Sequence, residues 1–205
     1  ALDRAAAAEK NIAKKAAEAA MSEGLTPEDG ARNADWLGPE FIAPDTLELG
    51  MAFQSVVLRF GREVVLVDSC NGNHKQRPTA QWQHDLRSDA FLHNLAALGL
   101  APGDVTMVIC THLHCDHVGW NTQLVDGRWV PTFPNARYLL PEADFKMPHE
   151  HPHPMYDESI LPVVEAGQAE KVGADHGIGE AVTLIPTPGH TPGHSGTNAT
   201  ACAGD

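Results

Sequence analysis

The feature that most constrains this chain is a short segment crowded with metal-binding side chains. It reads Thr111-His112-Leu113-His114-Cys115-Asp116-His117 and places three histidines and an aspartate within six positions. Imidazole nitrogen and carboxylate oxygen are the ligands that zinc and other borderline divalent metals accept. A second segment, Thr187-Pro188-Gly189-His190-Thr191-Pro192-Gly193-His194, offers a further histidine. The pattern predicts a metal-binding protein with two metal ions.

Both segments follow short apolar runs that are typical of buried strands. The run Val105–Cys110 leads into the first segment, and Val182–Thr187 leads into the second. Open α/β sheets place their ligand sites at the carboxyl ends of strands. We therefore expect the two histidine clusters to meet at one edge of a sheet sandwich.

The remaining pattern predicts a layered α/β or α+β domain, because candidate strands alternate with candidate helices. A hairpin is expected around residues 46–60 and 63–68, with its second strand buried on both faces. A further strand is expected at Ala136–Leu140. Helices are expected at 85–98, 142–147 and 156–166, although Pro162 weakens the last of these.

Composition excludes several classes of function. The chain has 205 residues, 42% apolar and 20% charged, as in a globular protein with a sizeable core. Its net charge of −13, without a basic stripe, argues against a nucleic-acid partner, and no apolar run is long enough to span a bilayer. A small-molecule substrate is the expected partner, with homo-oligomer formation left open. Four cysteines without a disulfide spacing and no signal-peptide pattern favour the cytoplasm, and the periplasm remains an alternative.

The order of motifs resembles the metallo-β-lactamase superfamily of metallohydrolases. A strand precedes His-x-His-x-Asp-His, and a later strand ends in Thr-Pro-Gly-His, followed by Gly-Asp. The resemblance covers about residues 47–205. Within the family, the chain is most similar in its general features to lactonases and organophosphate hydrolases. The resemblance implies an αββα sandwich with the metals between loops at one sheet edge. We expect an alanine-rich helical arm over 1–30 and this domain over 31–205, lacking part of its C-terminal half.

The resemblance also implies a ligand set. The first metal would be held by His112, His114 and His190. The second would be held by Asp116 and His117, with Asp205 bridging the two. Asp68 would support the ligand loops through hydrogen bonds. The family carries one more histidine ligand beyond the bridging aspartate, so we expect a truncated chain with an incomplete second site.

This ligand set implies a dinuclear zinc hydrolase, with iron or manganese as alternative metals. A metal-bound hydroxide would attack an ester, lactone or related bond. Asp116 would be both ligand and catalytic proton shuttle to the leaving group. Two alternatives stay open: a mononuclear iron persulfide dioxygenase, and a metal-binding module without catalysis.

Several other residues have simpler interpretations. His194 is expected to be structural, and Cys115 to point away from the metals. The three histidines at 149, 151 and 153 stand among prolines, so a solvated loop is expected there, with a lid over the site as the alternative. Lys75 and Arg77 are expected on a solvated face. The aromatic residues near the first motif could serve the core or a substrate pocket equally well; they are Trp120, Trp129 and Phe133.

Overall fold

The computed structural model describes residues 52–77, 83–146 and 154–200, with isolated positions of a helical segment between 28 and 38. Short strands and short helices alternate through these ranges. The strands are β1 Val56–Phe60, β2 Glu63–Val67, β3 Met107–Ile109, β4 Thr122–Val125, β5 Arg128–Pro131, β6 Arg137–Pro141, β7 Ala169–Val172, β8 Gly177–Ile178, β9 Val182–Pro186 and β10 Ser195–Ala199. The α-helices are α1 Ala90–Ala97, α2 Cys115–Val118, α3 Glu142–Phe145, α4 Pro154–Ser159 and α5 Leu161–Glu165.

The strands form two facing sheets and a separate hairpin. The larger sheet has the order β1-β2-β3-β6-β7, in which β1 and β2 are antiparallel and the other neighbours are parallel. The smaller sheet has the order β10-β9-β8 and is antiparallel throughout. Strands β4 and β5 pair only with each other within the described residues.

Alternation along the strands of the larger sheet supplies two hydrophobic cores. In β3, Val108 faces a core shared with the helices, whereas Met107 and Ile109 face a core shared with the smaller sheet. Strand β6 divides in the same way, with Leu140 on the helical side and Leu139 between the sheets. Successive strand side chains point to opposite faces, so a sheet buried on both faces needs such near-continuous apolar runs. The mixed α+β sandwich that the sequence predicted is confirmed.

The structure also corrects several predicted elements. The first hairpin and the helix after it are confirmed, although α1 begins only at Ala90. The predicted helix over 156–166 is two short helices, α4 and α5, with Ile160 between them and Pro162 in the first turn of the second. After His194, strand β10 pairs with β9 over five residues, a strand that no predicted element covered.

The topology brings four chain segments to one edge of the sandwich. Strands β2, β3 and β6 run parallel, so the turns that follow them lie side by side. The loop after β9 joins them because the Ser195 N–H donates to the Thr111 carbonyl at 3.0 Å. Among the described residues, no helix has both the length and the apolar character needed to cross a membrane. The predicted arm over 1–30 lies outside the described residues apart from position 28.

Candidate metal centre

The first ligand loop leaves β3 and folds immediately into the single turn of α2. Its shape is fixed by Asp68, which follows β2. One carboxylate oxygen of Asp68 accepts hydrogen bonds from the Thr111 N–H at 2.8 Å and the Thr111 hydroxyl at 3.1 Å. The other lies 2.8 Å from Nδ1 of His117. Asp68 thus makes the supporting contacts that the resemblance implied, and it leaves Nε2 of His117 to face the site.

A close backbone contact holds the same loop against the turn after β2. The Gly119 N–H donates to the Cys70 carbonyl at 2.7 Å, and the Ser69 N–H donates to the His117 carbonyl at 2.7 Å. A Cβ added at Gly119 would overlap the backbone of Asn71. Gly119 is therefore required by close approach, a role that its sequence context did not reveal.

The second ligand loop follows β9 and brings His190 against the first loop. Nε2 of His190 lies 2.9 Å from Nδ1 of His114. The His112 ring lies close to both, with centroids 4.7 Å from His114 and 4.8 Å from His190. One ring nitrogen from each histidine lies within 4.8 Å of the other two. These three residues, here called the three-histidine site, are thus brought together as the sequence predicted.

The three-histidine site fits a divalent metal. Nε2 of His112 is buried and has no hydrogen-bond partner among the described residues, whereas its Nδ1 lies 3.2 Å from the Thr111 hydroxyl. A buried polar atom without a partner is costly, and coordination of a cation would compensate it. Two nitrogens each about 2.1 Å from a tetrahedral zinc ion lie about 3.4 Å apart, so binding would require the nitrogens of His114 and His190 to separate slightly from 2.9 Å.

Burial sets the protonation of His112 and His114. It lowers the pKa of His112 to about 3, and the neighbouring histidines add to the effect. Burial also lowers the pKa of His114, with His190 as the next cause. Neutral imidazole is the form that binds metal, so His112 and His114 need not lose a proton first near pH 7.

Asp116 and His117, here called the Asp116–His117 pair, lie beside the three-histidine site. Nε2 of His117 is 3.4 Å from Oδ2 of Asp116, and its ring centroid is 4.0 Å from that of His112. Burial by itself would lower the pKa of His117, but hydrogen bonds to Asp116 and Asp68 raise it to about 10. For Asp116 the directions are reversed. Burial by itself would raise the pKa of Asp116, but the hydrogen bond to His117 holds that pKa below its ordinary value. A metal at this pair would have to displace the His117 proton.

One important residue was not predicted from the sequence. Asp144 lies in α3, just after β6, and its side chain is fully buried. It accepts hydrogen bonds from both ligand loops. The available signal was its position after a strand that ends at the ligand-bearing edge of the sheet.

His194 and Cys115, which lie near the candidate ligands, have different surroundings. Nδ1 of His194 lies 2.7 Å from the Thr187 hydroxyl, which closes the second loop, and its ring centroid is 4.9 Å from that of His112. Cys115 is partly buried, and burial raises the pKa of its thiol. Cys115 does not belong to the ligand cluster found among the described residues.

The expectation that Lys75 and Arg77 lie on a solvated face is wrong. Lys75 is fully buried and Arg77 is 7% exposed. Nζ of Lys75 donates to the Thr122 hydroxyl and to the Glu158 carbonyl, and lies 3.6 Å above the centre of the Trp129 ring. Arg77 forms a 2.7 Å ion pair with the Glu158 carboxylate. These two side chains join the turn after β2 to β4 and α4 and belong to the scaffold of the domain.

The aromatic residues divide between core and scaffold. Trp120 and Phe133 are buried in the core under α1, where Trp120 stacks on Phe91 with ring centroids 5.4 Å apart. Trp129 lies in the hairpin beneath Lys75. The histidines at 149–153 and the expected bridging ligand Asp205 lie outside the described residues, so both expectations stay predictions.

The comparisons with known proteins agree with this geometry. Residues 54–198 match the family model described as the metallo-beta-lactamase superfamily. The chain therefore belongs to the metallo-beta-lactamase superfamily. It is 34% identical over 140 residues to human metallo-beta-lactamase domain-containing protein 1, covering 66% of this chain and 40% of that protein. It is 31% identical over 106 residues to an N-acyl homoserine lactonase of a Bacillus species, covering 52% of this chain and 37% of the lactonase. The chain thus matches less than half the length of these relatives.

Solved structures support the same fold. A hydrolase of the beta lactamase superfamily superposes with a TM-score of 0.64 at 20% identity, covering 83% of this chain and 59% of the other. A dizinc quorum-quenching lactonase superposes with a TM-score of 0.61 at 21% identity, covering 85% and 60%. Similarity at these identities establishes the shared sandwich and says nothing of substrate.

Proposed function

We propose that this protein is a zinc-dependent hydrolase that opens a lactone or ester of a small molecule. The observation that carries the proposal is the convergence of His112, His114 and His190 from two separate loops. Within the described part of the chain, Nε2 of His112 is buried without a hydrogen-bond partner. The edge of a sheet sandwich has no structural need for three such rings. A metal ion accounts for them together.

The chemistry divides between the metal and the chain. Bound zinc supplies a Lewis acid that lowers the pKa of water to about 7 and polarises a carbonyl oxygen. His112, His114 and His190 would hold the first ion, and Asp116 and His117 would hold a second, with Asp205 proposed as the bridge. Asp68 fixes the orientation of His117 through Nδ1.

Asp116 is proposed as the residue that moves the proton. Its carboxylate lies in the α2 turn, partly buried and 3.4 Å from Nε2 of His117. A carboxylate in this position can take a proton from the attacking water and deliver it to the leaving oxygen of the substrate. Substitution by asparagine would remove this transfer while preserving the shape of the side chain.

The choice of a lactone or ester rests on the relatives. A Bacillus relative is named an N-acyl homoserine lactonase, and a solved neighbour is a dizinc lactonase with N-hexanoyl-homoserine as its product. We therefore propose N-hexanoyl homoserine lactone as the first substrate to test. Opening its ring releases one acid equivalent, so the reaction can be followed with a pH indicator.

The test combines metal content with activity. The protein is stripped with a chelator, reloaded with zinc, and assayed for zinc per chain and for acid release. We expect zinc-dependent ring opening that His112→Ala abolishes. If the folded, zinc-loaded protein hydrolyses neither the lactone nor p-nitrophenyl acetate, the result would support the alternative of a metal-binding module without catalysis. One iron per chain with oxygen consumption would instead support the dioxygenase alternative.

A further inference from the structure

Asp144 connects the two ligand loops through a single buried carboxylate. Its Oδ2 accepts hydrogen bonds from the Leu113 N–H at 3.1 Å and from the Thr191 hydroxyl at 2.8 Å. Its Oδ1 accepts from the Gly193 N–H at 2.6 Å. Leu113 lies between His112 and His114, and Thr191 directly follows His190. Each ligand loop is thus held next to its own metal-binding histidine.

These hydrogen bonds are strong because their acceptor, the carboxylate of Asp144, is shielded from water. Asp144 is 0% exposed, and none of its described partners is a lysine or arginine. A buried carboxylate without a counter-ion depends on hydrogen bonds from neutral donors to offset its loss of hydration. Charge-assisted bonds are about twice as strong as neutral ones. The three donors are therefore kept in place by the cost of leaving this charge unsatisfied.

The packing around Asp144 leaves the second loop little freedom. A Cβ added at Gly193 would lie 2.9 Å from Oδ1 of Asp144 and 2.9 Å from Cβ of Pro141. The loop backbone is therefore in direct contact with the end of β6 and the start of α3. A residue with a side chain at this position would push the second loop, and with it His190, away from the first.

We propose that Asp144 is a positioning residue that sets the separation of His190 from His112 and His114. This inference rests on the proposed metal site, since it concerns how that site is assembled. Asp68 acts differently, because its described partners, Thr111 and His117, both belong to the first loop. Loss of Asp144 should therefore weaken the three-histidine site, which is built from both loops.

The principal test is Asp144→Asn, which preserves shape but turns one acceptor oxygen into an NH2 donor that faces the donors of the loops. We expect the zinc dissociation constant of the three-histidine site to rise by about 10–100-fold, as for other residues that orient ligands. At saturating zinc, the kcat of Asp144→Asn should return to near the wild-type value. Zinc titration with a competing chelator, kcat against zinc concentration, and thermal unfolding are measured together.

Glu142→Gln provides the matched control. It makes the same carboxylate-to-amide change in the same helix, but Glu142 is exposed and pairs with Lys146 at 2.8 Å. We expect its zinc affinity to equal that of the wild type. Thr191→Val removes one of the three bonds to Asp144 while keeping the carboxylate, and Thr191→Ser retains the hydroxyl. Zinc binding should weaken in the valine variant and recover in the serine variant, which decides the matter if Asp144→Asn does not fold.

Three outcomes would overturn the inference, and they can be distinguished from one another. If the wild type binds zinc and folded Asp144→Asn binds it equally well, Asp144 does not position the ligands, and the proposed function stands. If the wild type itself binds no zinc, the proposed function fails and this inference fails with it. Weakened zinc binding in both Asp144→Asn and Glu142→Gln would assign the effect to general charge and would also count against the inference.

Discussion

The three-histidine site draws its ligands from two loops, with His114 and His190 separated by 76 positions in the chain. The Asp116–His117 pair, in contrast, consists of sequence neighbours within one turn of helix. The first depends on the packing of the two loops against each other and on the carboxylate of Asp144. The second depends on local helix geometry and on Asp68. Adjacent halves of one centre can therefore fail for different reasons.

The largest effects should come from two single substitutions, each of which removes one proposed ligand: His112→Ala in the three-histidine site and His117→Ala in the Asp116–His117 pair. We expect His112→Ala to reduce activity by more than about 100-fold, the upper range for residues that only orient ligands. His117→Ala should lose one zinc per chain while the other remains at the three-histidine site. Zinc per chain and acid release measure both effects. Loss of both zinc ions in His117→Ala would show that the halves cannot be separated.

Asp68→Asn should distinguish the halves more finely. Asparagine keeps one acceptor oxygen, but its NH2 group would face either His117 or the Thr111 donors. We expect the zinc affinity of the Asp116–His117 pair to fall by about 10–100-fold, with a smaller change at the three-histidine site. Zinc titration of Asp68→Asn beside Asp144→Asn provides the comparison. The idea fails if both variants weaken the same site to the same extent.

Buried Lys75 allows a test of the protein scaffold that does not involve the proposed metal ligands. Burial lowers the pKa of Lys75 to about 6 in the folded protein. The negative charge of Glu158 opposes this effect, and the positive charge of Arg77 adds to it. In the unfolded chain the lysine pKa is about 10.4. Between these values the unfolded state binds more protons, so the free energy of unfolding rises with pH, by up to about 1.4 kcal/mol per unit.

Replacing Lys75 by methionine should remove this dependence. Urea unfolding at pH 7, 8 and 9 should show a shallower rise in the free energy of unfolding for Lys75→Met than for the wild type. Lys146→Met is the control, because Lys146 is 69% exposed and should leave the slope unchanged. Zinc per chain should be the same in all three proteins. Parallel slopes for Lys75→Met and the wild type would contradict the lowered pKa.

The smallest effect is expected for Cys115→Ser. Cys115 lies between His114 and Asp116 in sequence, yet it is not part of the ligand cluster among the described residues. We expect zinc content to be unchanged and activity to change little, because serine is nearly the same size as cysteine and Cys115 supplies none of the clustered ligand atoms. Loss of a zinc ion in Cys115→Ser would place the thiol among the ligands.

Local patterns predicted much of the fold and the outline of the site. The runs that became β2, β3 and β6 were readable because a strand buried on both faces must be apolar along its length. Strand β9 was readable from its apolar residues Val182, Leu184 and Ile185, of which only the first two are buried. The placement of both histidine clusters after strands followed from the same runs. Short elements were harder, since β7, β8 and β10 contain few apolar residues and owe their structure to pairing with neighbours.

Residues whose role depends on a distant partner could not be predicted. The burial of Lys75 depends on Thr122 and Glu158, and the need for glycine at 119 depends on the backbone at 71. Asp144 was one acidic residue among many until its three hydrogen-bond donors were known. Each of these roles is a contact between segments far apart in sequence, and no periodicity encodes it.

The sequence by itself determined which donor groups the candidate centre can offer, because the identity and spacing of His112, His114, Asp116 and His117 are local properties of the chain. It also determined that these ligands follow a strand. Only the tertiary structure decided how His190 reaches them and which buried carboxylate holds the loops together. The physical reason is that a metal site requires ligand atoms at closely defined separations, and such separations across two loops arise from packing.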